Sequence, residues 1–221
     1  EHPAVLHTCE YMEKQGFQVT YLPVNMDGMI NLEDLVNAIT DKTILITIMF
    51  ANNETGTIFP IAEIGKIARE KKIAFHTDAV QAAGKIALDV NALNVDLLTI
   101  SAHKLYGPKG VGVLYARKGA KLKPLIHGGG QERNRRAGTE NVTGIVGMGK
   151  ACEIAMRDMD AESERLLNLR ERLHKGLIQK IEHVKLNGHP TMRLNNTLNV
   201  SFEYVEGESL LLNLDMDGVA A

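Results

Sequence analysis

Two residues that follow apolar segments of the sequence carry side chains that can build a cofactor site. Lys104 comes shortly after the apolar run 95–100, and Asp78 comes shortly after the run 73–75. A lysine amine can condense with an aldehyde, and an aspartate carboxylate can keep a pyridine nitrogen protonated, which makes the ring an electron sink. Neither residue is specific alone, because a lysine after a strand is usually a solvated loop charge. The pair, taken with the motifs below, predicts a site for pyridoxal 5'-phosphate.

The elements that must position this pair are short strands that alternate with helices. The 44–50 run has no polar face, which is typical of a strand that is buried on both sides in a parallel sheet. Gly16 is the expected stop of the first helix, Asn31 the N-cap of the second and Pro60 the start of the third. The alternation predicts an α/β domain with a mainly parallel sheet. Helices are predicted over 4–15, over 32–39 and from residue 60 onward, and strands over 17–23, 44–50, 73–76, 95–100 and 110–116.

Polar side chains gather directly after three of these strands, in the clusters 52–56, 76–78 and 101–104. In a parallel sheet the carboxyl ends of the strands share one edge, and ligands bind beyond that edge. Three clusters at neighbouring strand ends therefore predict one shared site rather than three unrelated turns.

The later part of the chain has a different pattern. A glycine-rich, basic loop over 127–139 precedes a mostly helical stretch over 140–181, which is apolar at first and then charged. This change predicts one long helix, or two, that leaves the core and bridges to another unit. A strand over 197–202 and a short helix over 208–214 are expected to follow.

We place the domain boundary near residue 158. Residues 1–158 are expected to form a cofactor-binding large domain, and residues 159–221 a linking helix with part of a smaller α/β domain. The chain begins without a methionine and stops within what looks like a strand. We therefore expect both ends to be cuts through larger domains.

Composition narrows the function classes. The chain has 221 residues, 44% of them hydrophobic, and a formal net charge of -2, which gives no reason to expect nucleic acid or an anionic membrane as a partner. No apolar run approaches the roughly 20 residues that a membrane span needs. Cys9 and Cys152 are too few for a disulfide framework, which favours a reducing, cytoplasmic setting.

Eight short motifs follow one another in the sequence: EHPAV at 1–5, NNETG at 52–56, HTDAVQ at 76–81, SAHKLYGPKG at 101–110, HGGGQER at 127–133, RAGT at 136–139, NVSF at 199–202 and EGESL at 206–210. In this order they make the chain resemble the cysteine desulfurases of the iron–sulfur cluster machinery, which are pyridoxal-phosphate-dependent enzymes of the class-V aminotransferase family. This resemblance covers essentially the whole chain. It implies the aspartate aminotransferase fold, fold type I, whose large domain has a mainly parallel, seven-stranded sheet flanked by helices.

The resemblance also implies roles for residues that hold the cofactor ring. Lys104 forms the Schiff base with the cofactor and later moves the proton at the substrate Cα. Asp78 pairs with the ring nitrogen, and Gln81 donates to the phenolate oxygen of the ring. His2 stacks on the ring and takes part in catalysis. From the residues alone, the alternatives are a helix N-cap for Asp78 and an ordinary helix residue for Gln81.

Four further residues are implied in binding phosphate and substrate. Ser101 and His103 bind the cofactor phosphate, and Asn53 binds the substrate carboxylate beside the cofactor. Thr139 reaches the phosphate of the partner subunit's cofactor, which implies a homodimer with shared sites. The alternatives are a turn role for Asn53 and a structural role for His103. A metal site built from His103 with 76–78 is disfavoured, since no motif supports it.

The implied reaction removes sulfur from L-cysteine and gives L-alanine and an enzyme persulfide, which passes its sulfur to an acceptor such as an iron–sulfur scaffold protein. The resemblance implies that the family's catalytic cysteine follows Ala221. Cys9 and Cys152 do not match its motif, and both have the apolar surroundings of buried thiols. A related aminotransferase or selenocysteine lyase, or a non-catalytic cofactor-binding scaffold, are the alternatives. The sequence after Ala221 distinguishes them, since a cysteine in a loop rich in serine and glycine favours a desulfurase.

Overall fold

A four-stranded sheet organises the first half of the chain. The structure, a computed structural model, describes residues 1–221. The first three strands are parallel, and the fourth is antiparallel to the third. The prediction of an α/β fold with a mainly parallel sheet is confirmed. The strands, in their order across the sheet, are β1 (Leu45–Thr47), β2 (Ala74–Asp78), β3 (Leu97–Ser101) and β4 (Gly112–Ala116).

The side chains of β2 alternate between the hydrophobic core and the opposite face of the sheet, which carries the candidate site. Successive side chains of a strand point to opposite faces of the sheet. Phe75 and Thr77 are fully buried, whereas His76 and Asp78 are partly buried on the other face. The strand therefore anchors itself in the core with one set of side chains and presents titratable groups with the other.

Three helices precede or flank this sheet: α1 (Pro3–Lys14), α2 (Leu32–Ala38) and α3 (Ile61–Lys71). The Asn31 side chain accepts a hydrogen bond from the Glu33 amide at 2.9 Å and caps α2, as the sequence predicts. α3 buries Ile61 and Ile64 against the sheet. Close packing there requires Gly65, because a Cβ at that position would collide with the carbonyl oxygen of Leu93.

The hydrophobic core lies between the sheet and these helices. It is one cluster of 15 buried residues that runs from Ile30 to Leu98 in sequence. Phe75, Ile64 and Val95 are its largest members at 0% exposure. Since these residues belong to β2, α3 and the approach to β3, the core fixes the elements that end at the polar clusters.

Two strand predictions fail, one wholly and one in part. Residues 17–23 form no strand, since they pair with no neighbour and only Val24 forms a single bridge, with Ile30. β1 is shorter than 44–50 and forms an edge of the sheet, so that Ile44 and Leu45 are exposed. An apolar run indicates β propensity, but burial of both faces needs other elements packed on each face of the sheet, and such cover is incomplete at Ile44 and Leu45.

The second half of the chain is built around one helix of 39 residues, α5 (Val142–Lys180). A four-residue turn, α4 (Gln131–Asn134), precedes it. A two-stranded antiparallel sheet of β5 (Val184–Leu186) and β6 (Val200–Phe202), then α6 (Gly207–Met216), follow it. β5 was not predicted from the sequence.

The Asn141 side chain accepts from the Gly144 amide at 3.0 Å and caps α5. The helix passes residue 158 without a break, so the domain boundary expected there falls inside a continuous helix and stays a prediction. No helix, α5 included, combines the length and the apolar character that crossing a membrane requires.

Candidate cofactor and substrate site

Asp78 lies at the carboxyl end of β2, between the ends of two neighbouring strands. Its carbonyl oxygen accepts from the Phe50 amide at 2.8 Å, and the Ala79 amide donates to the carbonyl oxygen of Thr99 at 2.9 Å. The carboxylate Oδ1 accepts from the Val80 amide at 2.9 Å. Oδ2 has no hydrogen-bond partner in the chain. One oxygen therefore stabilises a turn, and the other is free for a ligand. The alternative role of Asp78 as a helix N-cap is wrong, because no helix lies between β2 and β3.

Lys104 lies on a single turn of 3-10 helix, Ala102–Leu105, which follows β3 directly. Ala102 and Leu105 are buried and anchor the turn, whereas His103 and Lys104 are exposed on its other side. The Lys104 amine takes part in no hydrogen bond or ion pair. Ser101 Oγ and His103 Nδ1 are 2.7 Å apart and form a hydroxyl–imidazole pair next to it. A cation, a hydroxyl and an imidazole on one turn suit an aldehyde-bearing phosphate ester.

His2 stands at the start of α1, tied to the sheet by its neighbour. Its Nδ1 accepts from the Ala4 amide at 3.1 Å, so the proton of the neutral ring lies on Nε2. Glu1 Oε1 accepts from the Met49 amide at 2.7 Å, just beyond β1. Desolvation raises the pKa of the Glu1 carboxyl, and the negative charge of Asp78 acts in the same direction. Glu1 therefore holds the start of α1 near Asp78.

Gln81 lies in the turn that follows Asp78, and it is held by a lysine. Lys85 Nζ donates to the Gln81 carbonyl oxygen at 3.0 Å and to Gln81 Oε1 at 3.3 Å. Burial lowers the pKa of Lys85, and the positive charge of Lys104 lowers it further. Gln81, Lys85 and Lys104 therefore share one edge of the sheet.

His76 bridges three strands beneath this edge. Its Nδ1 lies 2.8 Å from Thr47 Oγ1 on β1, and its Nε2 lies 3.2 Å from Thr99 Oγ1 on β3. Burial lowers the pKa of His76, although the charge of Asp78 opposes this shift. Both ring nitrogens are engaged by hydroxyls, and no group of three or more His, Cys, Asp or Glu side chains is arranged to hold a metal ion.

Asn53 projects from a tight turn over 52–56. The Asn52 side chain accepts from the amides of Glu54 and Thr55 at 3.0 and 2.9 Å, which shapes the turn. The Asn53 side chain is exposed and makes no hydrogen bond within the chain. The turn alternative thus describes Asn52, whereas Asn53 is free to bind a carboxylate.

Residues 188–199, which we call the back segment, support this turn from the second half of the chain. A Cβ on Gly56 would lie 2.9 Å from Thr197 Cβ, which shows how closely the two segments approach. Arg193 is only 4% exposed, and its Nε and Nη1 have no partner. Three hydrogen bonds join the two segments: Arg193 Nη2 to the Thr55 carbonyl oxygen at 3.0 Å, the Leu194 amide to the Gly56 carbonyl oxygen at 2.9 Å, and Asn199 Nδ2 to the Glu54 carbonyl oxygen at 3.2 Å.

Thr139 lies apart from these residues in this chain. It is exposed, in the stretch between α4 and α5, and makes no hydrogen bond with any of them. Glu132, Arg133 and Asn134 of α4 adopt positive φ values of 47°, 56° and 61°, which is costly for residues other than glycine. The role of Thr139 across a dimer interface stays a prediction.

Neither cysteine has the surroundings of a reactive thiolate. Burial raises the pKa of Cys9, and the negative charges of Glu1 and Glu13 raise it further. Both cysteines are free and partly buried. Cys152 packs against a small cluster of Ala83, Leu105 and Ala151.

The chain belongs to the family described as Aminotransferase class-V, which matches it over residues 1–221. It is 62% identical over 221 residues to the "Cysteine desulfurase IscS" of Methanosarcina thermophila, covering 100% of this chain and 54% of that relative. Among solved structures, a "NIFS-LIKE PROTEIN" superposes with a TM-score of 0.95 at 43% identity, covering 100% of this chain and 60% of the other. Another, described as "SspA in complex with cysteine", has a TM-score of 0.82 and 40% identity over 98% of this chain and 59% of its own. The chain thus spans about half the length of the curated relatives it matches.

The structure adds three residues whose roles the sequence analysis did not identify. Glu1 contacts a residue 48 positions away, and His76 contacts one 29 positions away. No local sequence pattern predicts such contacts. Lys85 did have a signal, since it follows Gln81 at the i, i+4 spacing that brings side chains together on one turn.

Proposed function

We propose that this chain supplies the cofactor site of a pyridoxal-phosphate-dependent cysteine desulfurase, with Lys104 as the residue that carries the cofactor. One observation carries the proposal. Asp78 and Lys104 follow two adjacent parallel strands, and they present an unpaired carboxylate oxygen and an unpaired amine at the same edge. The relatives named cysteine desulfurase, and the relative solved with cysteine, support this reaction over others of the family.

The residues at this edge fit the groups of the cofactor. When bound, pyridoxal 5'-phosphate supplies an electron sink for the charge that develops at the substrate Cα. Asp78 Oδ2 would keep the ring nitrogen protonated, and the imidazole of His2 would cover one face of the ring. Ser101 and His103 bind the phosphate, for which their hydroxyl and imidazole are suitable donors.

The chain's own residues also act on the substrate. Asn53 binds the carboxylate of L-cysteine through its side-chain amide. The Lys104 amine takes the proton from Cα and returns a proton as the product forms, which is general acid–base work at one position.

The sulfur transfer balances without an outside oxidant. The C–S bond of L-cysteine breaks, and the sulfur bonds to an enzyme thiol, so that L-cysteine and a thiol give L-alanine and a persulfide. A thiolate is the nucleophile in such a step. Since the pKa of Cys9 is raised and Cys152 is packed among apolar groups, the thiol comes from a residue outside this chain.

The remaining expectations belong to the same proposal. The enzyme acts as a homodimer in which Thr139 reaches the partner's cofactor phosphate. Its persulfide passes to an acceptor such as an iron–sulfur scaffold protein. The two free cysteines agree with a reducing, cytoplasmic setting.

The test is to reduce the full-length protein with borohydride, which locks a lysine–cofactor bond, and to map the modified peptide by mass spectrometry. The phosphopyridoxyl group is expected on Lys104, and Lys104→Ala should carry none and form no alanine from cysteine. Lys109→Ala, an exposed lysine in the following loop, is the matched control and should behave as wild type. An adduct on Lys85 or Lys109 instead of Lys104 would contradict the assignment.

A further inference from the structure

Lys85 is a half-buried lysine without an acidic partner. No carboxylate pairs with it, and both of its hydrogen bonds go to Gln81, at 3.0 Å to the carbonyl oxygen and at 3.3 Å to Oε1. Burial and the charge of Lys104 both lower its pKa, so its environment disfavours the ammonium form. Since no salt bridge accounts for a lysine at this half-buried position, we look for its role in its contact with Gln81.

The packing places Lys85 firmly beside the turn that carries Lys104. A Cβ on the preceding residue, Gly84, would come 2.6 Å from Leu105 Cδ2 and 3.1 Å from Ala155 Cβ. Gly84 has a φ of 72°, which glycine adopts at no steric cost. The backbone before Lys85 is thus fixed by close approach, and its side chain extends from a defined position.

The contact with Lys85 also fixes the orientation of the Gln81 side-chain amide. An ammonium group only donates, so it faces the amide oxygen and never the amide nitrogen. With Oε1 turned toward Lys85, the NH2 group of Gln81 points elsewhere, and it has no hydrogen-bond partner in the chain. Without such a partner, the two orientations of a glutamine amide are nearly equivalent.

We propose that Lys85 is a positioning residue of the cofactor site, which fixes the Gln81 side chain so that its NH2 group faces the phenolate oxygen of the cofactor. This inference rests on the proposed function, because it needs pyridoxal phosphate bound to Lys104. The competing explanation is structural: Lys85 only caps the Gln81 carbonyl oxygen and stabilises the turn.

The experiment is a spectrophotometric pH titration of the full-length, cofactor-loaded protein. The absorbance follows the proton shared between the Lys104–cofactor nitrogen and the phenolate oxygen. A donor to the phenolate makes that oxygen less basic, so its loss raises the pKa of the shared proton. A hydrogen bond to a charged group is worth about a factor of ten in an equilibrium constant, so Lys85→Met should lower the acid dissociation constant about tenfold.

A double-mutant cycle separates positioning from turn stability. Gln81→Leu alone should produce the same shift, and adding Lys85→Met to it should produce no further shift. Lys85→Arg keeps the donor and should titrate close to wild type. Lys66→Met, which removes an exposed lysine from α3, is the matched control. Thermal unfolding is measured in parallel, and if Lys85→Met does not fold, Lys85→Gln enters the same cycle with Gln81→Leu.

The outcomes are distinct. Equal shifts from Lys85→Met in the wild-type and the Gln81→Leu backgrounds, or no shift in either, would overturn the positioning role. In both cases the wild-type protein still shows a titrating cofactor, so the proposed function stands. A wild-type protein that binds no pyridoxal phosphate at Lys104 would instead refute the proposed function itself.

Discussion

Residues 1–116 surround a buried sheet, whereas residues 142–221 extend along one helix with little buried surface. The 15-residue core lies entirely between Ile30 and Leu98. By contrast, α5 buries only Gly144, Met148 and Ala151 along its 39 residues. The first half therefore carries the stability and most of the site. The second half reaches the site through the back segment, where buried Arg193 contacts the Asn53 turn.

The largest expected effect tests where the stability lies. Phe75→Ala removes a fully buried ring from the core, and we expect the free energy of unfolding to fall by about 3–5 kcal/mol. Leu173→Ala, at a position 56% exposed on α5, should cost far less. Denaturant titrations of both variants of the full-length protein give the two values. Similar losses would contradict the contrast between the two halves.

The next prediction concerns the contact between the halves. Arg193→Met leaves the Thr55 carbonyl oxygen buried without its donor, which should cost about 1–3 kcal/mol of stability. Because the Asn53 turn loses its support, we also expect a higher KM for cysteine with an unchanged cofactor absorbance. Arg193→Lys, which can still donate, should recover part of both losses.

The control for this pair is Arg172→Met, which removes an exposed arginine from α5. It should change neither stability nor KM. A loss of cofactor absorbance in Arg193→Met would show instead that the back segment supports the whole site and not only the turn.

The next prediction, with a smaller loss of stability, tests whether the two halves of the chain unfold together. Asn31→Ala and Asn141→Ala each remove an N-cap, one from α2 and one from α5, and each should cost about 1 kcal/mol. If both halves form one cooperative unit, both variants lower the midpoint of the same transition. If Asn141→Ala affects only a separate early transition, the second half unfolds on its own.

The smallest effect is a pH dependence that belongs to the first half. Burial lowers the pKa of His76, so the folded state favours the neutral ring and the unfolded state binds more protons. The contribution of His76 to the free energy of unfolding is complete above its pKa in the unfolded chain, about 6.5. It decreases as the pH falls from there toward the lower pKa of the folded state.

We expect the free energy of unfolding of His76→Gln to fall less than that of the wild type as the pH is lowered. The measurement is the free energy of unfolding above and below pH of about 6.5. His7→Gln, at an exposed position on α1, should follow the wild type. Parallel curves for His76→Gln and wild type would show that His76 is not shielded in the folded protein.

Much of the first half could be predicted from the sequence because its signals are local. The isoleucines of α3 and the cap at Asn31 determine helices within a few residues. The location of Asp78 and Lys104 at one edge follows from the parallel strands that precede them. The absence of a strand over 17–23 could not be predicted, since strand formation depends on a partner elsewhere in the chain.

The failures in the site have the same physical origin. Glu1 and His76 act through side-chain hydrogen bonds that exist only after distant segments have come together. β5 was missed because its apolar–polar–apolar pattern, Val184-Lys185-Leu186, is too short to be distinguished from chance. The back segment was missed because its contacts to 52–56 join residues about 140 positions apart.

Thr57 links the two halves of the chain, so we expect the segments that it joins to open together. This fully buried residue donates through Oγ1 to the Asp27 carbonyl oxygen at 3.0 Å, and the same oxygen accepts from the His189 amide at 3.0 Å. One hydroxyl thus ties three segments that are far apart in sequence. The amides of residues 52–58 and of the back segment should exchange their hydrogens with deuterium as one unit, opening together rather than with the strands or helices on either side.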